Sequence, residues 1–416
     1  MTRRVRDNDK NNNLKETDMR VLAAALSFFW LQAQAYAAEP VVIGLSYPST
    51  GSYKWEGLSQ KRGALMAVEE INREGGILGR PLKIVSRNSG ATPERAAENV
   101  ERLAADGAVM LMGGASSDEV IAAGERARQL RLPYFVPTAY ANRVTGRAGH
   151  TYLFREGASA RMANNLLMEY LETTLPGKRY FIITSDDVIP NGRSGSLGEA
   201  SRGRDLSSQR HYRDALKQAA QSDADVLILM LYGTDVVNAM RLVDHLKLKD
   251  RMLVVVPNLN QDVVDQAGPA LMSGVIGTDT WTWRVPERER NLRGKRFVVD
   301  YSGRYQSYPS SAAASAYGIV RQWAEAVARA GSTESSAVIA ALEDHSYRLL
   351  KDEQKWRALD HQNVQGMYVV KVKQRAEVLQ DELKQDYFDI LYWMEGEVAA
   401  PTVKEVLWER SPEGPE

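Results

Sequence analysis

Residues 41–85 read VVIGLSYPSTGSYKWEGLSQKRGALMAVEEINREGGILGRPLKIV. Val41 to Leu45 is a short apolar run of strand length, and Tyr47 to Gly57 is polar and glycine-containing, as a loop is. Ala64, Leu65, Ala67, Val68 and Ile71 then recur at spacings of three and four, which sets them on one face of a helix. Gly75-Gly76 stops that helix, because glycine takes the left-handed conformation of a helix C-terminus without steric cost. Leu82 to Val85 is the next strand. The unit is strand–helix–strand, and the same alternation continues outward. Thr92-Pro93 opens a helix that buries Val100, Leu103 and Ala104, and Val109 to Met112 is a strand apolar on both faces, as a parallel sheet requires. Ser116 with Glu119 is a capping box for a helix running to Leu130, and Tyr134 to Val136 is a strand ended by Pro137.

Further strands are expected at Phe181–Thr184, Val226–Leu231, Met252–Val256 and Val275–Thr278, with a helix over Thr234–Leu248. Helices then dominate, at Leu292–Tyr305, Ser311–Ala330 and Ser335–Leu342, before a strand at Tyr368–Val372. Two runs of alternating strands and helices in 416 residues predict an α/β protein of two lobes, each with a parallel sheet covered by helices. The stretch from Asn191 to Arg210 is polar, glycine-rich and loop-like where a helix and a strand are expected.

Composition narrows the function. Apolar residues are 44%, charged residues 25% and the formal net charge is +0, so no bulk field favours nucleic acid or an anionic membrane. The absence of cysteine removes disulfides, thiolate metal sites, cysteine nucleophiles and a lipoprotein anchor. Val21 to Ala33 is apolar but too short to span a bilayer. Arg20 precedes it and Ala35-Tyr36-Ala37 follows, the pattern of a signal peptide cut between Ala37 and Ala38. Residues 1–18 are polar and without periodicity, either an extended leader or sequence upstream of a true start at Met19.

Ligands of open parallel sheets sit at the carboxyl ends of strands, beside helix N-termini. Three such ends are polar or small: Ser49 to Tyr53, Gly113 to Ser117, and Thr138 to Tyr140. Their hydroxyls and backbone N–H groups suit an anion, although ordinary capping alone explains Ser116. Catalysis has no matching pattern. The first strand is not followed by G-x-G-x-x-G, and no phosphate-binding P-loop, H-E-x-x-H or G-x-S-x-G is present. The five histidines are scattered, and no carboxylate pair is placed for acid–base work. Neither a cofactor nor a metal site is expected.

The run Ile43-Gly44, Gly51, Gly57, Gly63-Ala64 and Ala67 to Leu82 resembles the branched-chain amino acid (Leu/Ile/Val-type) periplasmic binding protein family. Gly113 to Ser117, Leu132 to Phe135, Phe154-Arg155, Asp225-Val226 with Tyr232-Gly233, Asp360 to Gln362 and Gln365 to Val370 extend the likeness over about residues 41–373. The resemblance implies the type I periplasmic binding fold: two Rossmann-like lobes joined by three crossovers and closing on ligand by hinge motion. On this pattern residues 1–37 are leader, 41–155 with 285–350 form lobe one, and 156–284 with 351–410 form lobe two, which lacks one strand–helix unit near 191–210. It implies a periplasmic solute-binding component of an ABC importer, delivering an amino acid or organic acid to a membrane permease and its ATPase.

The family's ligand positions fall on Trp55 as an aromatic lid, on Ser116, Ser117, Thr138, Ala139 and Tyr140 for a carboxylate, and on Tyr232, Gly233 and Asn258 from the second lobe. Asn258 stands where the family places an acid for the ligand's ammonium, so a carboxylate without an amine, aromatic ones included, competes with a zwitterion. Asp235 and Asp279 are candidates for the missing charge, though sequence places neither at the cleft. Trp281 and Trp283 offer stacking, with core or hinge packing as the plainer role. The other readings are a sensory binding protein feeding a membrane receptor, and a degenerate homologue in which the shortened second lobe impairs binding.

Overall fold

The structure is a computed structural model that describes residues 39–184, 188–192 and 209–411. The expected leader and its Ala37/Ala38 cleavage point, and residues 193–208 of the loop-like stretch, lie outside the described residues.

Five parallel strands build the first sheet: β1 (Val41–Tyr47), β2 (Leu82–Asn88), β3 (Ala108–Gly113), β4 (Tyr134–Val136) and β5 (Leu153–Arg155), in the order β2-β1-β3-β4-β5. Between them run α1 (Lys54–Arg73), α2 (Pro93–Ala105) and α3 (Ser117–Leu130). The stop at Gly75-Gly76 is real: both glycines have positive φ, and the Gly76 N–H donates to the Ile71 carbonyl at 2.9 Å. The Ser116–Glu119 capping box also forms. One expectation needs correcting. The polar stretch Tyr47 to Gly57 is not all loop, because α1 starts at Lys54.

After β5 the chain crosses to a second sheet through α4 (Ala160–Thr174). This sheet contains β6 (Tyr180–Ile183), β7 (Val188–Gly192), β8 (Val226–Leu229), β9 (Leu253–Asn258) and β10 (Ile276–Asp279). The strands β6, β8, β9 and β10 are parallel, whereas β7 runs antiparallel to β6 and ends the sheet. β7 carries Pro190, which lacks a ladder donor and suits an edge position. The helices α5 (Gln209–Gln221), α6 (Thr234–His245) and α7 (Gln261–Ala267) connect these strands.

The chain then returns to the first lobe as α8 (Leu292–Tyr305), α9 (Ser311–Ala330) and α10 (Ser335–Leu342). α9 is buried along most of its length and lies against α1 so closely that a Cβ on Gly63 would stand 2.0 Å from the Ala313 carbonyl oxygen. A small antiparallel sheet of β11 (Ser346–Tyr347), β12 (Gln354–Trp356) and β13 (Asn363–Val364) leads to the third crossing. β14 (Met367–Val372) and β15 (Phe388–Met394) then extend the second sheet antiparallel, and α11 (Val403–Arg410) follows. No helix among the described residues is long and apolar enough to cross a membrane.

Gly63→Ala therefore drives a methyl group into a backbone carbonyl that sits in a packed helix and cannot swing aside. The expected cost is about 1–3 kcal/mol of stability, read as a lower urea midpoint at unchanged slope; an unchanged midpoint would show that the two helices are not in this contact.

Candidate functional site

A cleft lies between the two sheets at the carboxyl ends of their strands, with about 530 Å³ of empty space counted out into open solvent. From the first lobe it is lined by Tyr53, Glu56, Ala115 and Pro137 to Tyr140. From the second it is lined by Tyr232, Asn258, Asn260, Asp279 and Thr280; Gly157, Ala158 and Ser311 complete the wall. The lobes touch around it. Ser59 of α1 donates its hydroxyl to Asp262 Oδ1 of α7 at 2.7 Å, and the Thr234 and Ser52 hydroxyls meet at 3.0 Å.

Five of the nine residues proposed from sequence line this space: Thr138, Ala139, Tyr140, Tyr232 and Asn258. Thr138 Oγ1 donates to the Gly114 carbonyl at 3.1 Å and accepts from Gln60 Nε2 at 3.2 Å, so its hydroxyl is held by the protein itself. Ala139 is buried at φ +120°, a conformation that side-chain-bearing residues rarely adopt. Its loop is gripped from three sides. Arg155 donates to the Ala141 carbonyl at 2.7 Å and to the Ala139 carbonyl at 3.4 Å, and the Ala141 N–H donates to Ser117 Oγ at 3.1 Å. The Tyr140 and Tyr232 rings face each other across the cleft with centroids 6.1 Å apart.

The other four sit elsewhere. Ser116 caps α3, Ser117 supports the loop at Ala141, and Ala115 beside them lines the cavity instead. Gly233 precedes α6 at φ +54°, where a Cβ would stand 3.0 Å from the Ser52 carbonyl, so its lack of a side chain lets the lobes meet. Trp55 is 42% exposed, with the Lys54 ammonium 4.7 Å from its ring centroid. Its neighbour Glu56 takes the inward place. The helical period shows why: counted back from Ala67, Ala64 and Gln60 along the buried face, Glu56 is in phase and Trp55 is about 100° off it.

One of the two candidate acids lies at the cleft. Asp279, at the end of β10, lines the cleft, while Asp235 lies in the first turn of α6 and is not among the lining residues. Asp279 is 2% exposed; its Oδ1 accepts from the Thr280 N–H at 2.8 Å, and its Oδ2 has no hydrogen bond among the described residues. Asn258 Oδ1 and Asp262 Oδ2 are likewise buried without a partner. Burial pushes the Asp279 carboxyl up to about 8, against the pull of Ser311 and the Thr280 and Trp281 N–H groups. Glu56 is pushed up to about 8 by burial and by the Asp262 charge, and Asp262 is itself raised by burial. Burial and Asp279 hold the Tyr140 phenol well above its ordinary value. Such unmatched acceptors favour a ligand that brings N–H donors. Trp281 and Trp283 are outside the lining. Trp281 is buried, with its indole N–H donating to the Pro309 carbonyl at 3.2 Å, and Trp283 stacks on Tyr308 at 4.0 Å.

A family model described as periplasmic binding protein matches residues 40–377. The chain is similar to Leu/Ile/Val-binding protein homolog 8 of Brucella suis biovar 1, with 26% identity over 70% of this chain and 77% of that one. In fold it is similar to a periplasmic binding protein from Burkholderia mallei, with a TM-score of 0.76, 23% identity, and 88% and 98% of the two chains covered. It is also similar to an amino acid ABC transporter substrate-binding protein from Pseudomonas fluorescens Pf-5, with a TM-score of 0.74, 22% identity and the same coverage.

The raised carboxyls carry a pH signature. In the unfolded chain they titrate near 4, whereas the native protein keeps their protons to about 8. Their contribution to stability is thus full below about pH 4 and lost as pH rises through about 8. Glu56→Gln and Asp279→Asn should each gain stability relative to the parent between about pH 5 and pH 8, by on the order of a few kcal/mol. Thermal unfolding at several pH values checks this, and a difference that stays flat with pH would mean that these groups are not buried carboxyls.

Proposed function

The chain belongs to the periplasmic binding protein family, and on that premise we propose that it is the exported solute-binding component of an ABC importer, capturing an amino acid-like ligand between its lobes. The observation that carries this reading is Asp279: a carboxyl buried in the interlobe cavity, with one oxygen unpartnered, beside the free amide oxygen of Asn258. An ammonium placed there supplies the missing donors and the compensating charge, which a carboxylate without an amine does not. The ligand's own carboxylate then faces the backbone of the Ala115 and Thr138–Tyr140 loops, where a helix start and the strained Ala139 peptide meet.

We assign residues 41–155 with 285–364 to the lobe that binds first, and 156–284 with 365–410 to the lobe that closes over it; residues 351–364 go with the first lobe because β12 pairs with β11 and Trp356 packs on Phe135 and Phe154. The function is capture without chemistry, with the closed form presented to a membrane permease and its ATPase. Residues 1–37 direct export to the periplasm and are removed. Hinge closure suits the three crossings, because a pivot at a few connecting residues moves each packed lobe as a unit.

A thermal-shift screen of the chain from Ala38 against amino acids and amine-free organic acids tests the reading, since a ligand that binds only the native state raises the melting temperature. Amino acids should give the shift, and Asp279→Asn should weaken their binding by roughly ten- to hundredfold, the value of a charge-assisted hydrogen bond. A shift with amine-free acids alone, or full affinity in the variant, would overturn it.

A further inference from the structure

The cleft holds more acid groups than one ammonium needs. Asp279 stands on the second lobe and Glu56 on the first, and both line the same cavity. Among the described residues that line it, none is lysine, arginine or histidine. No basic side chain is among the groups that act on Glu56; the ionisable one that does is Asp262, another acid. Asp262 is itself held by Ser59 at 2.7 Å, and Ser310, Ser59 and the Arg62 charge act on it against its burial. The position where an aromatic lid was expected is therefore filled by a buried carboxyl, while the Trp55 ring faces outward.

We propose that the ligand is a cationic amino acid or a close relative of one, carrying a second nitrogen-centred cation besides its α-ammonium, and that Glu56 is the residue that recognises this second group. The inference rests on the reading of the cleft as an amino acid site and adds the class of side chain. A branched aliphatic side chain in this place would cover Glu56 and strip it of water, with no charge or new donor returned. An ammonium or guanidinium returns both charge and N–H groups, and the Tyr53, Tyr140 and Tyr232 rings offer faces that tolerate a cation. Two carboxyls on opposite lobes also make closure depend on the ligand. With two cationic groups between them, the acids give up their protons and each lobe gains an ion pair with the ligand; without them, the acids stay protonated and that attraction is absent.

Isothermal titration of the chain from Ala38 and of Glu56→Gln, with L-ornithine, L-lysine, L-arginine and L-leucine as probes, decides between the outcomes. At least one dibasic amino acid should bind the parent tenfold or more tightly than leucine does, and Glu56→Gln should lose most of that preference. Leucine binding as tightly as every dibasic probe, or a preference that survives in Glu56→Gln, would overturn this inference and leave the amino acid reading intact. Silence with all four probes, in protein shown to be folded by circular dichroism, would overturn both.

Discussion

One buried guanidinium connects the hinge to the cleft. Arg155 is almost fully buried at the end of β5, where the chain first leaves the first lobe. It donates to Gln362 Oε1 at 2.6 Å on the third crossing, to the Ala141 carbonyl at 2.7 Å and to Thr145 Oγ1 at 2.9 Å. Burial pulls it down to about 10, so it stays charged at neutral pH. The rigid fork of N–H donors is what allows one side chain to fix three acceptors at once, and lysine could not replace it. Lys351 does the matching task on the other side. Its ammonium donates to the Thr280 carbonyl at 2.8 Å on the second crossing and to the Gly366 carbonyl at 2.6 Å on the third. Gln362 Nε2 donates in turn to the Gly157 carbonyl at 2.8 Å. All three crossings thus meet in a buried polar cluster whose members hydrogen-bond one another, and such a cluster holds one arrangement rather than many. Because Arg155 also holds the Ala139–Ala141 backbone, the strained loop of the cleft is an extension of the hinge.

The cleft shows the reverse condition. Its acceptors are left unmatched: Asp279 Oδ2, Asn258 Oδ1 and Asp262 Oδ2 are buried without hydrogen bonds among the described residues. Groups in that state are costly, and the protein tolerates them where a ligand is to provide the partner. Burial takes water from the carboxyls, which accounts for their retention of protons to about pH 8. A bound cation would take over the role of those protons.

Much of the fold was legible because parallel sheets write themselves into sequence as apolar runs separated by capped helices. Val109 to Met112, the Ser116–Glu119 box and the Gly75-Gly76 stop all stand as read. The antiparallel additions were not legible. β15 has apolar residues on both faces, with Leu391 and Trp393 partly exposed, so no alternation marks its buried side. β7 is five residues with a proline and takes its direction from β6, which is tertiary information. The cleft was half legible. The loops at Thr138–Tyr140 and Tyr232 follow from strand ends, but the placement of Asp279 depends on β10 lying beside β9 in the sheet. Glu56 could have been found by extending the helical period four residues beyond Gln60. Taking Tyr47–Gly57 as loop hid it and put Trp55 in its place.

The most direct test is proton counting during binding. Titrating an amino acid that shifts the melting temperature into the protein at pH 7, in buffers of different ionisation enthalpy, gives the number of protons exchanged. If an ammonium replaces the protons on Asp279 and Glu56, binding releases protons at pH 7, and Asp279→Asn reduces the number released. Binding of the same amino acid with no proton release would contradict a cleft built from buried, protonated carboxyls.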